Sequence, residues 1–321
     1  MPTPVKPLAL YYEQEHWFKP LVAELDRRGV PHVRLDPRSH RYDPSAASEP
    51  YSLVFNRMSP SAHLRGGVQG MFHTLGWLAH LDRLKVPTVN GLTAFTYETS
   101  KARQLTLLQS LGLPYPRAVV INHPSQAAPA AEPLRFPVVV KANIGGSGAG
   151  IVRFDTPADL SRAADEVRLD FGVDHTALVQ EFVPARGGHI CRVELLAGKY
   201  LYAIKVFTPG DSFNLCPADI CQRADGVELT RSACAIDAPK TGLTVEGFTP
   251  PPAVVEACER IMQAARIDVG GIEYMTDDRD GSLVYYDVNA LSNFVADAPN
   301  VVGFDPVGRL TDYLQVRMAR G

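Results

Sequence analysis

Residues 270–294, GGIEYMTDDRDGSLVYYDVNALSNF, constrain this chain more than any other stretch. Two apolar runs, 271–275 and 283–288, flank a polar turn at 276–282 that contains Asp280-Gly281. That pattern predicts a β-hairpin. Alternation along a strand puts Asp287 and Asn289 on one face. With the turn centred on Asp280, Glu273 falls directly across from Asp287. Two carboxylates and an amide oxygen then converge, which is costly for like charges unless a cation lies between them. A small set of hard oxygen ligands that leaves room for phosphate and water suits Mg²⁺. A plain solvated hairpin accounts for Asp277, Asp278 and Asp280, but poorly for two polar side chains sharing a face inside VYYDVNAL.

At 321 residues the chain is long for one domain and suits two or three. Its 45% hydrophobic and 21% charged content are those of an ordinary globular protein. A net charge of −3 without a basic block leaves no electrostatic footprint for nucleic acid. No apolar run is long enough to cross a membrane, and MPTPVKPLAL lacks the core of a signal peptide. Five cysteines without a Cys-x-x-Cys pair argue against a disulfide framework or structural zinc. Reduced thiols and a cytoplasmic location are expected.

Apolar runs at 8–12, 30–35, 52–58 and 86–90 alternate with helical spacing at 15–28 and 69–84. Alternation of this kind predicts a small open α/β sheet with a crevice at the carboxyl ends of its strands. Arg57 ends the third of these strands, where such a sheet holds a ligand, although a surface charge would look the same. Thr99-Ser100 offers an N-cap to a helix at 101–111. Strands are expected at 115–121, 136–142, 150–154 and 177–183, with a surface connection at 122–133 and a helix at 157–167. A hairpin pairs 191–197 with 200–207 around Gly198-Lys199. A long irregular segment, 208–252, precedes a helix at 254–266, and a last helix covers 306–318. Loops of that length are usually functional.

In VVVKANIGGSGAGIVRF, glycines 145, 146, 148 and 150 with Ser147 allow backbone N–H groups to approach an anion. The element after these glycines is a strand and not a helix, so neither a Walker loop nor a dinucleotide fingerprint is present. A Gly-rich flap over phosphates, with Lys141 beside it, is the reading that fits; a flexible hairpin loop would share the composition. Gln180-Glu181-Phe182-Val183 offers a carboxylate and a backbone edge to a purine, or simply an edge-strand acid to water. Arg192 and Lys205, on the two arms of one hairpin, are able to face an anion, or are surface charges. Asn214 lies in the long irregular segment, within reach of either substrate or sheet. His189, Cys191, Cys216 and Cys221 show no metal-ligand spacing.

In this order, these pieces resemble the ATP-grasp carboxylate–amine ligases, especially the branch with glutathione synthetase and the ribosomal-protein glutamate ligases. The resemblance runs from about Ser100 to Asn289: Ser100-Lys101 opening a helix that ends LGLPYP, the VVVKANIGGSGAGI flap, LVQEFV, CRVELLAGKYLYAIK, then Glu273 and Asp287-Val288-Asn289. It implies an ATP-grasp fold: a small open α/β amino-terminal domain (1–97) and two α+β subdomains (98–178 and 179–321) that clasp ATP. It implies phosphate contacts from Lys101, Lys141, Gly146, Ser147, Gly148 and Lys205, and adenine contacts from Gln180, Glu181, Phe182 and Val183. Mg²⁺, commonly two ions and replaceable by Mn²⁺, is implied on Glu273, Asp287 and Asn289. Arg192 and Lys141 are the implied catalytic charges, and Arg57, Arg192, Asn214 and Ser292 face the substrates.

The implied reaction joins a carboxylate to an amine, such as amino acids or small peptide-like molecules, through an acylphosphate, releasing ADP and phosphate. A homodimer is the implied assembly. Alternatives are an inactive nucleotide-binding regulator and a phosphotransferase that forms no amide. Three departures stand out. Asp287 replaces a usual Glu while Glu273 replaces a frequent Asp; Gly-His-Ile-Cys precedes Arg192 where relatives often carry an acid; and Ala-Leu-Ser-Asn-Phe comes after Asn289 without their Pro-Gly. The last two bear on substrate identity and leave nucleotide binding intact.

Overall fold

A computed structural model of the chain describes residues 6–145, 150–207, 244–295 and 297–320. The first unit holds β1 (Leu8–Tyr11), α1 (Lys19–Arg27), β2 (His32–Leu35), β3 (Leu53–Asn56), α2 (Val68–Leu84) and β4 (Thr88–Val89). Its strands are parallel in the order β2-β1-β3-β4. Every residue of β1 and β3 is buried, as in a parallel sheet covered on both faces. Leu8, Leu10, Leu53 and Phe55 pack with Leu21 and Leu25 of α1. Ala9, Tyr11 and Val54 pack with Trp77 and Leu81 of α2. The helix expected at 15–28 starts as a 3₁₀ turn, Glu15–Phe18, and turns α-helical at Lys19. Pro20, lacking an N–H, is accommodated in that first α turn.

Two helices lead into the central unit. α3 (Leu92–Glu98) is not foreseen from sequence, since its threonines and aromatics are weak helix formers. α4 (Lys101–Ser110) begins where expected, with Ser100 Oγ accepting from the Arg103 N–H at 3.3 Å. The central antiparallel sheet contains β5 (Ala118–Ile121), β6 (Val138–Ala142), β7 (Val152–Phe154) and β8 (Ala177–Glu181), in the order β5-β8-β6-β7. Helices α5 (Ala127–Ala131) and α6 (Pro157–Asp165) close its own core around Val138, Val140, Leu160 and Val179. The surface connection expected at 122–133 is therefore partly a packed helix, with Ala127, Ala130 and Ala131 buried. Small side chains let it lie close to the sheet, and Pro129 falls in the first turn, where no N–H partner is needed. The domain boundary expected after Leu178 falls inside β8, an interior strand of this sheet.

The last unit is a five-stranded sheet with order β11-β10-β9-β12-β13. It contains β9 (His189–Leu196), β10 (Lys199–Phe207), β11 (Thr244–Phe248), β12 (Val269–Thr276) and β13 (Leu283–Asn289). The segment expected to be irregular over 208–252 thus ends in a strand; its first part, 208–243, lies outside the described residues. Helix α7 (Pro252–Ala265), together with α4, covers one face through Val193, Ile272, Val288, Leu108 and Ile261. The other face carries Ile204, Val206 and Val269 into the same core as Leu10 and Leu25 of the first unit. α8 (Ala298–Val302) comes next, and α9 (Pro306–Met318) closes the chain.

Candidate active site

The expected hairpin forms, and Glu273 pairs with Asp287 in register. On its other side Glu273 pairs with Arg192 of β9. Arg192, Glu273 and Asp287 therefore make one row across three adjacent strands, with side chains on a common face. The next row on that face is Glu194, Gly271 and Asn289. The register shifts between Glu273 and Tyr274, and this bulge leaves Tyr286 as the extra residue. Its hydroxyl turns to the same side and donates to Glu273 Oε2 at 2.7 Å. Bulges re-aim side chains in this way beside functional sites.

Cations neutralise both carboxylates. Arg192 Nη1 donates to Glu273 Oε1 at 2.8 Å and its Nε to Glu194 Oε1 at 2.6 Å. Lys101 Nζ donates to Asp287 Oδ1 at 3.0 Å, and Asn289 Nδ2 to Asp287 Oδ2 at 3.3 Å. Gln104, one turn along α4, receives the Val288 N–H at 3.2 Å and donates to the Val288 carbonyl at 2.9 Å. The helix is thereby stitched to the free edge of β13. Asn143, just past β6, accepts from Ser100 Oγ at 3.0 Å and from the Ala102 N–H at 2.9 Å. These bonds bring the end of β6, and with it Lys141, to the start of α4.

Burial sets the proton equilibria. Lys141 is buried, and desolvation, with help from the Lys101 charge, pulls its ammonium down to about 7. Desolvation likewise pushes Glu98 up to about 7, although its carboxylate accepts the Ala290 N–H. Glu273 is raised by desolvation and by Asp287, against the opposing pull of Arg192. Desolvation would raise Asp287 too, but Lys101 and Lys141 hold it below the usual carboxylate range.

Among the described residues, no group of three or more His, Cys, Asp and Glu is placed to hold a metal. Two in-register carboxylates and an amide are what the face offers, an oxygen-rich set that fits Mg²⁺ with most of its shell left to phosphate and water. Both carboxylates are already paired with cations, so a divalent ion held there competes with Arg192 for Glu273 and with Lys101 for Asp287.

No family model matches the chain. Among curated proteins, a D-alanine–D-alanine ligase of Pseudomonas putida strain GB-1 is 27% identical over 187 residues, covering 54% of this chain and 55% of the ligase. The chain thus spans about half the length of the curated relatives it matches. Among solved structures, the ATP-grasp ligase PsnB complexed with a minimal precursor superposes with a TM-score of 0.67 at 16% identity, over 97% of this chain and 99% of PsnB. This chain has the ATP-grasp fold. A RimK domain protein from Sphaerobacter thermophilus, also ATP-grasp, gives a TM-score of 0.64 at 18% identity, over 96% and 98% of the two chains. The resemblance to ATP-grasp ligases read from the sequence is borne out, and the similarity in sequence points to D-alanine–D-alanine ligases alongside the branch first named.

Within the ATP-grasp frame, the expected site residues are distributed unevenly. Lys101, Lys141, Arg192, Glu273, Asp287 and Asn289 converge. Gly146, Ser147, Gly148 and Asn214 lie outside the described residues. Glu181 ends β8, buried, with Oε1 accepting the Arg135 N–H at 3.0 Å; Gln180 beside it is buried as well. Phe182 stacks under the Arg153 guanidinium, 4.7 Å from its ring centroid, and Val183 is buried. Arg192 and Lys205 do not share a face. Arg192 pairs with Ile204, whereas Lys205 pairs with Cys191 and stands over the Phe248 ring at 5.3 Å on the opposite side. Opposed faces result from one-residue alternation in the paired arms.

Arg57 is buried between Phe18 and Phe55, with Nη2 donating to Asn293 Oδ1 at 2.5 Å. It therefore meets the loop after β13, where Ser292 is buried and accepts the Phe294 N–H. Three participants escaped the sequence reading. Glu194 was legible, because it alternates with Arg192. Glu98 lay in an unforeseen helix, and Tyr286 reaches Glu273 only through a bulge.

Proposed function

We propose that the protein is an ATP- and Mg²⁺-dependent ligase that joins a carboxylate to an amine, releasing ADP and phosphate. The observation that carries this reading is the Arg192–Glu273–Asp287 row, with Lys101 and Lys141 beside it, in an ATP-grasp fold. The P. putida relative is named a D-alanine–D-alanine ligase, and one PsnB structure holds Mg and ADP. The first supports amino-acid or peptide-like substrates for this chain, and the second supports nucleotide and Mg²⁺ at the site. Glu273, Asp287 and Asn289 would hold Mg²⁺, one or two ions, with Mn²⁺ as a substitute. The bound metal would supply charge neutralisation on the transferred phosphate.

The chain's own residues do the rest by position and charge. Lys101 and Lys141 supply cations for the phosphates, and Arg192 supplies one on the acceptor side. A substrate carboxylate oxygen attacks the γ-phosphorus and ADP leaves. The amine nitrogen then attacks the acyl carbon, phosphate departs, and the amine gives up its proton. Exclusion of water from this cleft keeps the acylphosphate from hydrolysis. Glu181 to Val183 are the adenine side of the reading, and Arg57 and Ser292 the acceptor side. A cytoplasmic homodimer belongs to the same reading; no helix among the described residues is long and apolar enough to cross a membrane.

The test is Mg·ATP turnover with pooled amino acids and small carboxylates, read by mass spectrometry. ADP with a dehydrated conjugate is expected, and Asp287→Asn should lower its rate by at least about 10²-fold without loss of fold. AMP with pyrophosphate would overturn the acylphosphate route, and unchanged turnover in Asp287→Asn would remove the metal assignment.

A further inference from the structure

Arg192 is held by more than the residue it serves. Its guanidinium lies over Gly271, where an added Cβ would sit 2.5 Å from Nη2, 2.7 Å from Cζ and 2.8 Å from Nε. Overlap of that kind requires the guanidinium to move, so the bare glycine is the floor of its seat. Glu194 forms the wall. It is 2% exposed, and its Oε1 receives the Arg192 Nε–H at 2.6 Å, while Nη1 of the same guanidinium reaches Glu273 at 2.8 Å. Glu194 Oε2 has no hydrogen-bond partner among the described residues. A buried carboxylate with one oxygen unmatched is retained against a cost in stability, and such groups call for an explanation.

The partner across β10 is Tyr202, whose hydroxyl accepts the Val295 N–H at 2.9 Å, so the wall is continuous with the loop after β13. Glu273 is the one carboxylate of this pair that also lies in register with Asp287. Any cation drawn to those two acids competes with Arg192 for Glu273. If Glu273 were the only anchor, the guanidinium would then be released.

We infer that Glu194 and Gly271 form a dedicated seat that positions Arg192, so that the guanidinium keeps its place when Glu273 turns to another cation. Glu194 is on this account a positioning residue. Its effect on turnover rests on the ligase reading above; the existence of the seat does not.

Two measurements separate these. The first tracks arginine Nε–H resonances by ¹⁵N NMR in the full chain, with Arg192→Lys identifying the signal that vanishes. A guanidinium locked to a buried carboxylate exchanges its Nε–H slowly. Glu194→Gln and Gly271→Ala should each raise that exchange rate by at least about tenfold, whereas Glu194→Asp should restore part of the protection. Circular dichroism checks that each variant is folded; should Gly271→Ala fail to fold, the Glu194 pair decides alone. An Arg192 signal equally protected in Glu194→Gln overturns the seat.

The second is steady-state turnover. Glu194→Gln should lower kcat by about tenfold or more and leave KM for ATP within about threefold, because nucleotide contacts lie elsewhere. In an Arg192→Ala background the same change should cost less than about twofold, since a residue acting through another has nothing left to position. An equal loss in both backgrounds overturns the positioning role. A wild-type protein that makes no conjugate at all sinks the ligase reading and leaves the exchange measurement to decide the seat.

Discussion

Lys141 concentrates the cost of building this site. Its ammonium is buried in β6, and burial together with Lys101 brings its proton equilibrium from the usual 10.5 down to about 7. An unfolded lysine keeps its proton up to 10.5, so between 7 and 10.5 the unfolded chain binds more protons than the folded one. Stability must then rise with pH across that window, and below 7 the penalty of the buried charge is present in full. Relative to Lys141→Met, the wild-type chain is expected to gain about 2 kcal/mol between pH ~7 and ~9, measured by urea denaturation at each pH. A difference that stays flat, or falls, would mean that the ammonium keeps its charge in the folded chain. A polyanion such as the phosphates of ATP would reverse the penalty, because it brings the countercharge that the protein withholds. Nucleotide affinity is therefore expected to weaken as pH climbs past about 7, where a growing share of Lys141 must first take up a proton.

At the level of elements, the free edge of β13 decides how the Glu273–Asp287 face is held. Strand edges expose unpaired backbone groups, and here Gln104 satisfies both groups of Val288, between Asp287 and Asn289. Gln104→Leu keeps the volume roughly and strands a buried N–H and a carbonyl. A loss of about 1–3 kcal/mol is expected in chemical denaturation; an unchanged midpoint would show that the edge finds other partners. The hairpin itself was legible in the sequence, down to the Glu273–Asp287 pairing, because alternation and a turn residue fix register. So were the capped start of α4 and the limits of α9, where Asp305 accepts the Val307 N–H ahead of Pro306. What escaped was set by tertiary contact. α5 is a helix because its alanines fit against the sheet, and α3 is one although its composition argues weakly for it. Arg192 and Lys205, each able to face an anion by composition, lie on opposite faces, because which face an arm of a hairpin presents is fixed only by register.

Across the whole molecule, the first and last sheets behave as one body. They share a hydrophobic core, and Arg28, the residue just past α1, donates to Asp312 and Gln315 of α9 at 2.5 and 3.1 Å. Arg317 of α9 reaches Asp268 at 2.8 Å and the Thr88 carbonyl at 3.3 Å. Asn90 is the knot. Its backbone has φ 54°, a left-handed conformation that asparagine tolerates better than most residues. Its amide donates to the carbonyls of Val269 and Ala290 and accepts the N–H groups of Asp268 and Val269. The central sheet closes a core of its own, and Leu178 of β8 with Ala118 of β5 also reaches the core of the last unit. Asn90→Ala removes those bonds and places alanine at a strained angle, a loss of about 3 kcal/mol or more. Native-state hydrogen exchange by mass spectrometry locates where that loss falls. Protection should drop together in β1, β3 and β12, because a shared core opens as one cooperative unit. In β6 and β8 it should stay nearly unchanged. An equal drop in β6 and β8 would mean that all three sheets open together, so that the sheet carrying Lys141 cannot move over the Glu273–Asp287 face without unfolding the body beneath it. Separate behaviour instead leaves Asn143 and Lys101 as the contacts that such a movement must bend or break.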